Sequence, residues 1–271
     1  MAATTILNFL FPPPPSLLVN AMSVISACSL ALIGLSEALG RHLNYSKFWN
    51  VNPPTGSKGW WRGTTLSSRA GMLLLYAPAA AAAAASFFVP GAVIGARAQL
   101  LCAALAVHFF KRLFEVLFIH QYSGRMLLGS AIPITFSYTV STVSMIYAQY
   151  LSRDMAEPAV NLEYAGIVLF LIGIAGNFYH HYLLSKLRQK GDKGYKIPRG
   201  GLFELVLCPH YLFEIIGFYG VAMIAQTIYS VSFALGTTFY LVGRSAATRK
   251  WYLSKFENFP REVKALVPYI F

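Results

Sequence analysis

Seven stretches of the chain are predominantly apolar and alternate with short polar segments, at 17–39, 70–95, 98–119, 130–150, 160–180, 211–227 and 228–243. Each is close to the roughly 20 residues that an α-helix needs to cross the hydrocarbon core of a bilayer. The pattern predicts an all-α, polytopic membrane protein of about seven transmembrane helices, forming a single domain over 1–271. The boundary between the last two stretches is the hardest to place, because no polar segment separates them. The first stretch lacks the basic n-region of a signal peptide and is long enough to span, so it is read as a membrane helix. Pro12 to Pro15 predict a stiff polyproline start in the interface. The run from Ala79 to Ala85 is helix-forming packing material.

Composition agrees, with 56% hydrophobic and 12% charged residues. A net charge of +12 would point to nucleic acid in a soluble protein. Here the basic residues fall between apolar stretches, and with the N-terminus lumenal 20 of the 22 Lys and Arg lie on the cytosolic side, all but Arg97 and Arg153. The positive-inside rule selects that orientation, puts the C-terminus in the cytosol and removes the reason to invoke a nucleic-acid partner. Three cysteines, Cys28, Cys102 and Cys208, lie in or beside apolar stretches. They form neither a disulfide framework nor a cysteine-based zinc site. Trp60 and Trp61 read as interfacial anchors.

Ionisable residues inside membrane helices are costly, and they mark functional sites. The third stretch carries His108, Lys111, Arg112 and Glu115, spaced three and four apart on one helical face. On the fifth, Asn177, His181, Ser185 and Arg188 repeat that pattern. A basic, glycine-rich loop follows, Gly191-Asp-Lys-Gly-Tyr-Lys-Ile-Pro-Arg-Gly-Gly-Leu-Phe203, then Cys208-Pro209-His210-Tyr211 and Glu214. Together these predict a polar cavity open to the cytosol and suited to phosphates. Metal ligation is not expected, because only His180-His181 approaches the histidine boxes of di-iron oxygenases. There is no Gly-x-Ser-x-Gly elbow and no Gly-x-Gly-x-x-Gly turn. A dinucleotide would have to bind among the helices.

Asn177 through Arg188, the loop Gly191-x-x-Gly-Tyr-Lys-Ile-Pro-x-Gly-Gly-Leu-Phe203, Cys208-Pro-x-Tyr211 with Glu214, and Trp251-Tyr-x-x-Lys-Phe-x-x-Phe-Pro260 before Val-Pro-Tyr-Ile-Phe271 resemble the steroid 5α-reductase family. The likeness is dense over 165–271, the expected cofactor-binding half, and is carried in the N-terminal half by 108–123. It implies a seven-helix enzyme of the endoplasmic-reticulum membrane that binds NADPH and reduces a carbon–carbon double bond conjugated to a carbonyl. By position it assigns Arg112, Asn177, His181, Arg188, Tyr195, His210, Glu214, Arg244 and Tyr252 to the cofactor. Two of these depart from the pattern, since His181 stands where steroid reductases have aspartate and His210 where most members have asparagine. The carbonyl-binding glutamate and tyrosine of steroid reductases correspond to Tyr76 and Phe109.

Lys111-Arg112-x-x-Glu115-x-x-Phe118-x-His120-x-x-Ser123 is similar instead to the trans-2-enoyl-CoA reductases, a branch of the same family. The likeness does not extend to that branch's ubiquitin-like extension. It makes Lys111, Glu115 and Tyr211 the catalytic candidates. The substrate expected is a hydrophobic enone or enoyl lipid, within a lipid pathway of partner enzymes. Two other readings remain: a membrane methyltransferase of the isoprenylcysteine or phospholipid type, with its related Pro-x-Tyr element, and a non-enzymatic membrane protein of the same fold.

Overall fold

The break that hydropathy hides between the last two apolar stretches is a single buried residue, Gln226. Its backbone is left-handed, with φ 49° and ψ 31°, which ends one helix. Thr227 starts the next by accepting from the Ser230 amide. The Gln226 side chain donates to the carbonyls of Phe9 (2.6 Å) and Val160 (2.9 Å) and accepts from the Leu162 amide and Arg97 Nη1, both at 2.9 Å. One amide group thus ties three chain segments to the turn.

The computed structural model describes residues 8–43, 45, 48, 63–122, 124–187 and 194–271. Among them are seven long helices: α1 (Leu17–Ala38), α2 (Ser68–Ala85), α3 (Ala96–Phe114), α4 (Leu128–Ser152), α5 (Glu163–Lys186), α6 (Pro209–Ala225) and α7 (Ile228–Lys255). Each lies on one predicted apolar stretch. The second ends earlier than the sequence suggests, and α7 runs twelve residues beyond its apolar part. The all-helical expectation needs one correction, an antiparallel ribbon of β1 (Thr65–Ser67) and β2 (Arg125–Leu127) with Leu66 opposite Met126. Leu17–Ala38, Ser68–Phe88 and Glu163–Lys186 are long and apolar enough to cross a membrane, and Pro209–Ala225 is a shorter apolar helix. Leu17, Leu18, Val24, Ile25 and Leu32 are exposed along α1, an outward apolar face suited to lipid. Arg97, one of the two basic residues on the lumenal side of the predicted topology, is buried and paired with Glu157 at 2.8 Å.

Small residues set the closest helix contacts, as is usual where lipid provides no hydrophobic drive between helices. Gly173 of α5 faces Gly217 of α6, and Gly34 of α1 faces Gly243 of α7. A Cβ on Gly173 would lie 2.4 Å from the Gly217 nitrogen, and one on Gly243 would lie 1.9 Å from the Gly34 carbonyl oxygen. Gly173→Ala should therefore push α5 from α6 and lower the melting temperature in detergent, at a cost of about 1–3 kcal/mol or more for overpacking. An unchanged melting temperature would contradict this packing.

Candidate functional site

Helix α3 supplies the first half of the site. Its last turn widens into a π-helical turn, Glu115–Ile119, and the His120 amide bonds back to the Glu115 carbonyl at 2.7 Å. That turn brings His120 under the fully buried Glu115. Arg112 is held from three directions. Its Nη1 donates to Glu115 Oε2 at 2.6 Å and to His181 Nδ1 at 2.9 Å, and Nη2 donates to the Tyr76 hydroxyl at 2.6 Å. Lys111 Nζ lies 3.1 Å from Glu115 Oε1 and donates to Asn177 Oδ1. Asn177 Nδ2 donates to the His210 carbonyl at 2.7 Å, coupling α5 to the start of α6. Lys111, Arg112 and Glu115 of the first predicted stripe, and Asn177 and His181 of the second, thus face inward. His108 diverges from its neighbours, packing against Phe109 and Phe218.

The second half is built on α7. Arg244 is 1% exposed, and its Nη1 donates to Glu37 Oε1 of α1 at 2.7 Å. Glu37 also accepts from the Leu43 amide at 2.9 Å, and His42 Nδ1 lies 2.8 Å from its other oxygen. The segment so anchored lays Tyr45 and Phe48 over the Arg244 guanidinium and joins the hydroxyls of Tyr45 and Tyr240 at 2.8 Å. Gly200 and Gly201 (φ 85° and 54°) make the turn that closes the glycine-rich loop, in a region that favours glycine. Beyond that turn, Leu207 and Cys208 bond to the carbonyls of Lys264 and Ala265, so the C-terminal segment fixes the entry to α6.

Between these halves lies a cavity of about 470 Å³, bordered by Tyr76, Arg112, His120, Tyr138, His181, Tyr195, His210, Tyr211, Glu214, Tyr240, Arg244, Thr248 and Tyr252 among others. It brings together most of the residues singled out in the sequence. Lys111 and Asn177 stand behind the wall, in a small void shared with His108 and Glu214. Phe109 is buried beside Tyr138, so of the two positions matched to the carbonyl pair only Tyr76 reaches the cavity. Ser185 borders it. Arg188, Gly191 to Lys193, Ser123, Trp60 and Trp61 lie outside the described residues. Sequence reasoning missed Glu37, Tyr45, Tyr138, Tyr240 and Thr248. Of these, Glu37 alone carried a signal, as a carboxylate in an apolar stretch.

The adjacent His180 and His181 point to different surroundings. His180 turns away to the Gly176 carbonyl and to Phe203 and Phe213, while His181 meets Glu115 and His120. The ligand atoms of Glu115, His120 and His181 all lie within 4.8 Å of one another. Arg112 and Lys111 already neutralise that carboxylate, which makes the cluster an ion network. Burial, reinforced by Arg112 and Lys111, lowers the His120 imidazole to about 4. Neutral His120 is therefore favoured in the fold, whereas the unfolded chain protonates near 6.5 and binds the extra proton between those values. Melting temperature should fall as pH drops from 6.5 towards 4, through a loss on the order of 3 kcal/mol. His120→Gln should lessen that dependence.

NADPH can be weighed against the wall of the cavity. Arg112 Nε, Arg244 Nε and Thr248 Oγ1 are buried without a hydrogen-bond partner among the described residues. All three residues border the cavity. Such donors are costly to bury unless something accepts from them, and a ligand with phosphate and ribose oxygens fits them.

A helical membrane protein with a polar, donor-lined cavity among its helices is the class that this fold and site define. The family model described as 3-oxo-5-alpha-steroid 4-dehydrogenase matches residues 126–271. "Steroid 5-alpha-reductase DET2" of Gossypium hirsutum is 44% identical over 108 residues, 40% of this chain and 42% of that one. "3-oxo-5-alpha-steroid 4-dehydrogenase 1" of Macaca fascicularis is 34% identical over 177 residues, 64% of this chain and 66% of its own. The Mus musculus protein of the same name is 32% identical over 183 residues, 64% and 68% of the two chains. The chain belongs to the 3-oxo-5-alpha-steroid 4-dehydrogenase family. Its matches span less than half of the Gossypium relative and about two thirds of the mammalian ones.

Proposed function

We propose that this protein is an NADPH-dependent reductase of the endoplasmic-reticulum membrane that saturates the double bond of a 3-oxo-Δ4-steroid or a closely similar enone lipid. One observation carries the reading: in a member of this family, Tyr211, Glu214, Arg244 and Tyr252 converge on one cavity whose wall holds buried donors without acceptors. The relatives' names favour the steroid class. The motif Lys111 to Ser123 supports trans-2-enoyl-CoA as the second substrate to test. The seven helices would all span, with the N-terminus lumenal, the C-terminus cytosolic and the cofactor entering from the basic side.

Arg244 would hold phosphate together with Arg188, since a guanidinium pairs with phosphate bidentately. Thr248, Tyr195 and Tyr252 would contact the remaining cofactor, Asn177 would position it through His210, and Glu214 would receive its amide. When bound, NADPH would supply the hydride for the substrate's β-carbon. Negative charge then grows on the carbonyl oxygen, and preorganised donors in a dry site stabilise it best. Tyr211, which lines the cavity, would donate the proton that the enolate takes up. Lys111 acts from behind, with Glu115 and Asn177 fixing its ammonium. Arg112 accompanies the Tyr76 hydroxyl at the same wall, so its guanidinium also biases the site towards an anion. Purified protein should gain thermal stability from NADPH well beyond that from NADH, as a ligand selective for the folded state requires. Equal shifts, or stabilisation by S-adenosylmethionine alone, would reject the reading.

A further inference from the structure

A ketone oxygen on a hydrophobic body needs two things of its site: an apolar wall for the body, and donors for the two in-plane lone pairs of the oxygen. One side of the cavity meets both needs, where α2, α3 and α4 come together. Leu75, Ala79, Met126 and Ala131 are buried there in a single apolar cluster. Two tyrosines of the same cluster, Tyr76 of α2 and Tyr138 of α4, border the cavity with their ring centroids 5.7 Å apart.

The Tyr76 oxygen accepts from Arg112 Nη2 at 2.6 Å, which leaves its own proton to donate. The Tyr138 hydroxyl stands apart from others on its helix. Thr135, Thr139 and Thr142 return theirs to the carbonyls of Ala131, Thr135 and Tyr138 at 2.8 to 2.9 Å, as short hydroxyl side chains in helices do. A phenol at the end of a ring cannot fold back in that way, and among the described residues no group takes up the Tyr138 hydroxyl. Phe109 packs against the Tyr138 ring edge-on, with centroids 5.6 Å apart. Helix α4 therefore presents a hydroxyl beside a point where α3 has none.

We propose that Tyr138, together with Tyr76, holds the carbonyl oxygen of the substrate. This rests on the reading of the protein as an enone reductase. Both tyrosine O–H bonds stay intact, and no proton leaves either ring. The two hydroxyls donate to the oxygen while it carries the enolate charge, and the C=O bond re-forms when the α-carbon takes the proton of Tyr211. Arg112, bonded behind Tyr76, places positive charge near that oxygen. Donors fixed in apolar surroundings stabilise such a charge far better than water does.

The test uses the full chain in detergent. Tyr138→Phe removes one hydroxyl and keeps the ring against Phe109. With NADPH and a 3-oxo-Δ4-steroid, its kcat/KM should fall on the order of a hundredfold, the scale for one oxyanion donor. The thermal shift given by NADPH should stay at the wild-type value. Competitive inhibition by the saturated 3-ketosteroid and by its 3-deoxy counterpart gives a readout that a purely structural role would not move. The variant should bind the ketone up to about tenfold more weakly, the worth of one hydrogen bond, and the deoxy compound as well as the wild type does. Unchanged kcat/KM, or an equal loss of affinity for both steroids, overturns the assignment and leaves the reductase standing. A Tyr138→Phe protein that fails to fold overturns it too, since the hydroxyl would then hold the protein and not a ligand. Absence of NADPH oxidation by the wild type, with this steroid and with trans-2-enoyl-CoA, overturns both.

Discussion

Tyr211→Phe should slow a single turnover on the best enone substrate by roughly a hundredfold to a thousandfold, the usual consequence of losing one transition-state donor at an oxyanion. NADPH affinity should stay nearly intact, because only the phenolic hydroxyl is removed and the ring keeps its contact with His210. The expectation comes from placement. Tyr211 lies in the first turn of α6, with its amide bonded to the Cys208 carbonyl at 3.0 Å and its side chain on the cavity wall with Glu214. An interfacial aromatic anchor would predict something else, namely altered insertion and an unchanged rate. Single-turnover oxidation of bound NADPH separates the two. A wild-type rate in the variant would move the donor to Tyr76, whose hydroxyl oxygen accepts from Arg112 and whose own proton is left to donate.

Glu37→Gln should unfold much of the protein in detergent. The carboxylate is fully buried and neutralises an Arg244 that is itself 1% exposed. Removing one partner of a buried pair leaves an uncompensated charge and costs about 3–5 kcal/mol. The same carboxylate anchors Leu43 and His42, so the segment bearing Tyr45 should loosen from Tyr240 as well. Replacing both charges, as in Glu37→Leu with Arg244→Met, should recover part of the melting temperature, because paired apolar replacements of buried ions are often close to neutral. It should not recover NADPH binding, since the guanidinium assigned to phosphate is gone. A double variant that binds NADPH as wild type would take Arg244 out of the cofactor site.

The periodic parts of this architecture were legible. His108, Lys111, Arg112 and Glu115 recur at helical spacing in an apolar stretch, which fixes an inward face before any coordinates are known. The same holds for Asn177 and His181. What periodicity cannot supply is the partner across the bundle: nothing in the sequence joins Glu37 to Arg244, 207 positions away, or Tyr45 to Tyr240. Tyr138 and Thr248 were hidden for another reason, since a hydroxyl on a membrane helix more often bonds its own backbone than a ligand. The break placed between residues 227 and 228 falls beside the observed turn, but its cause at Gln226 was not legible, because a left-handed residue stands there where a glycine or proline would have announced it. The ribbon of β1 and β2 was too short, three residues a side, for alternation to register.

Transfer of hydrogen from the cofactor to the substrate is the most direct measurement of the central claim. Purified protein given NADPH carrying deuterium at the transferable position, with a 3-oxo-Δ4-steroid, should yield the saturated 3-ketone with one deuterium on the β-carbon. The hydrogen added to the α-carbon should come from solvent, and NADH should be a much poorer donor. Recovery of unchanged steroid and unoxidised NADPH, with trans-2-enoyl-CoA unreduced as well, would contradict the account.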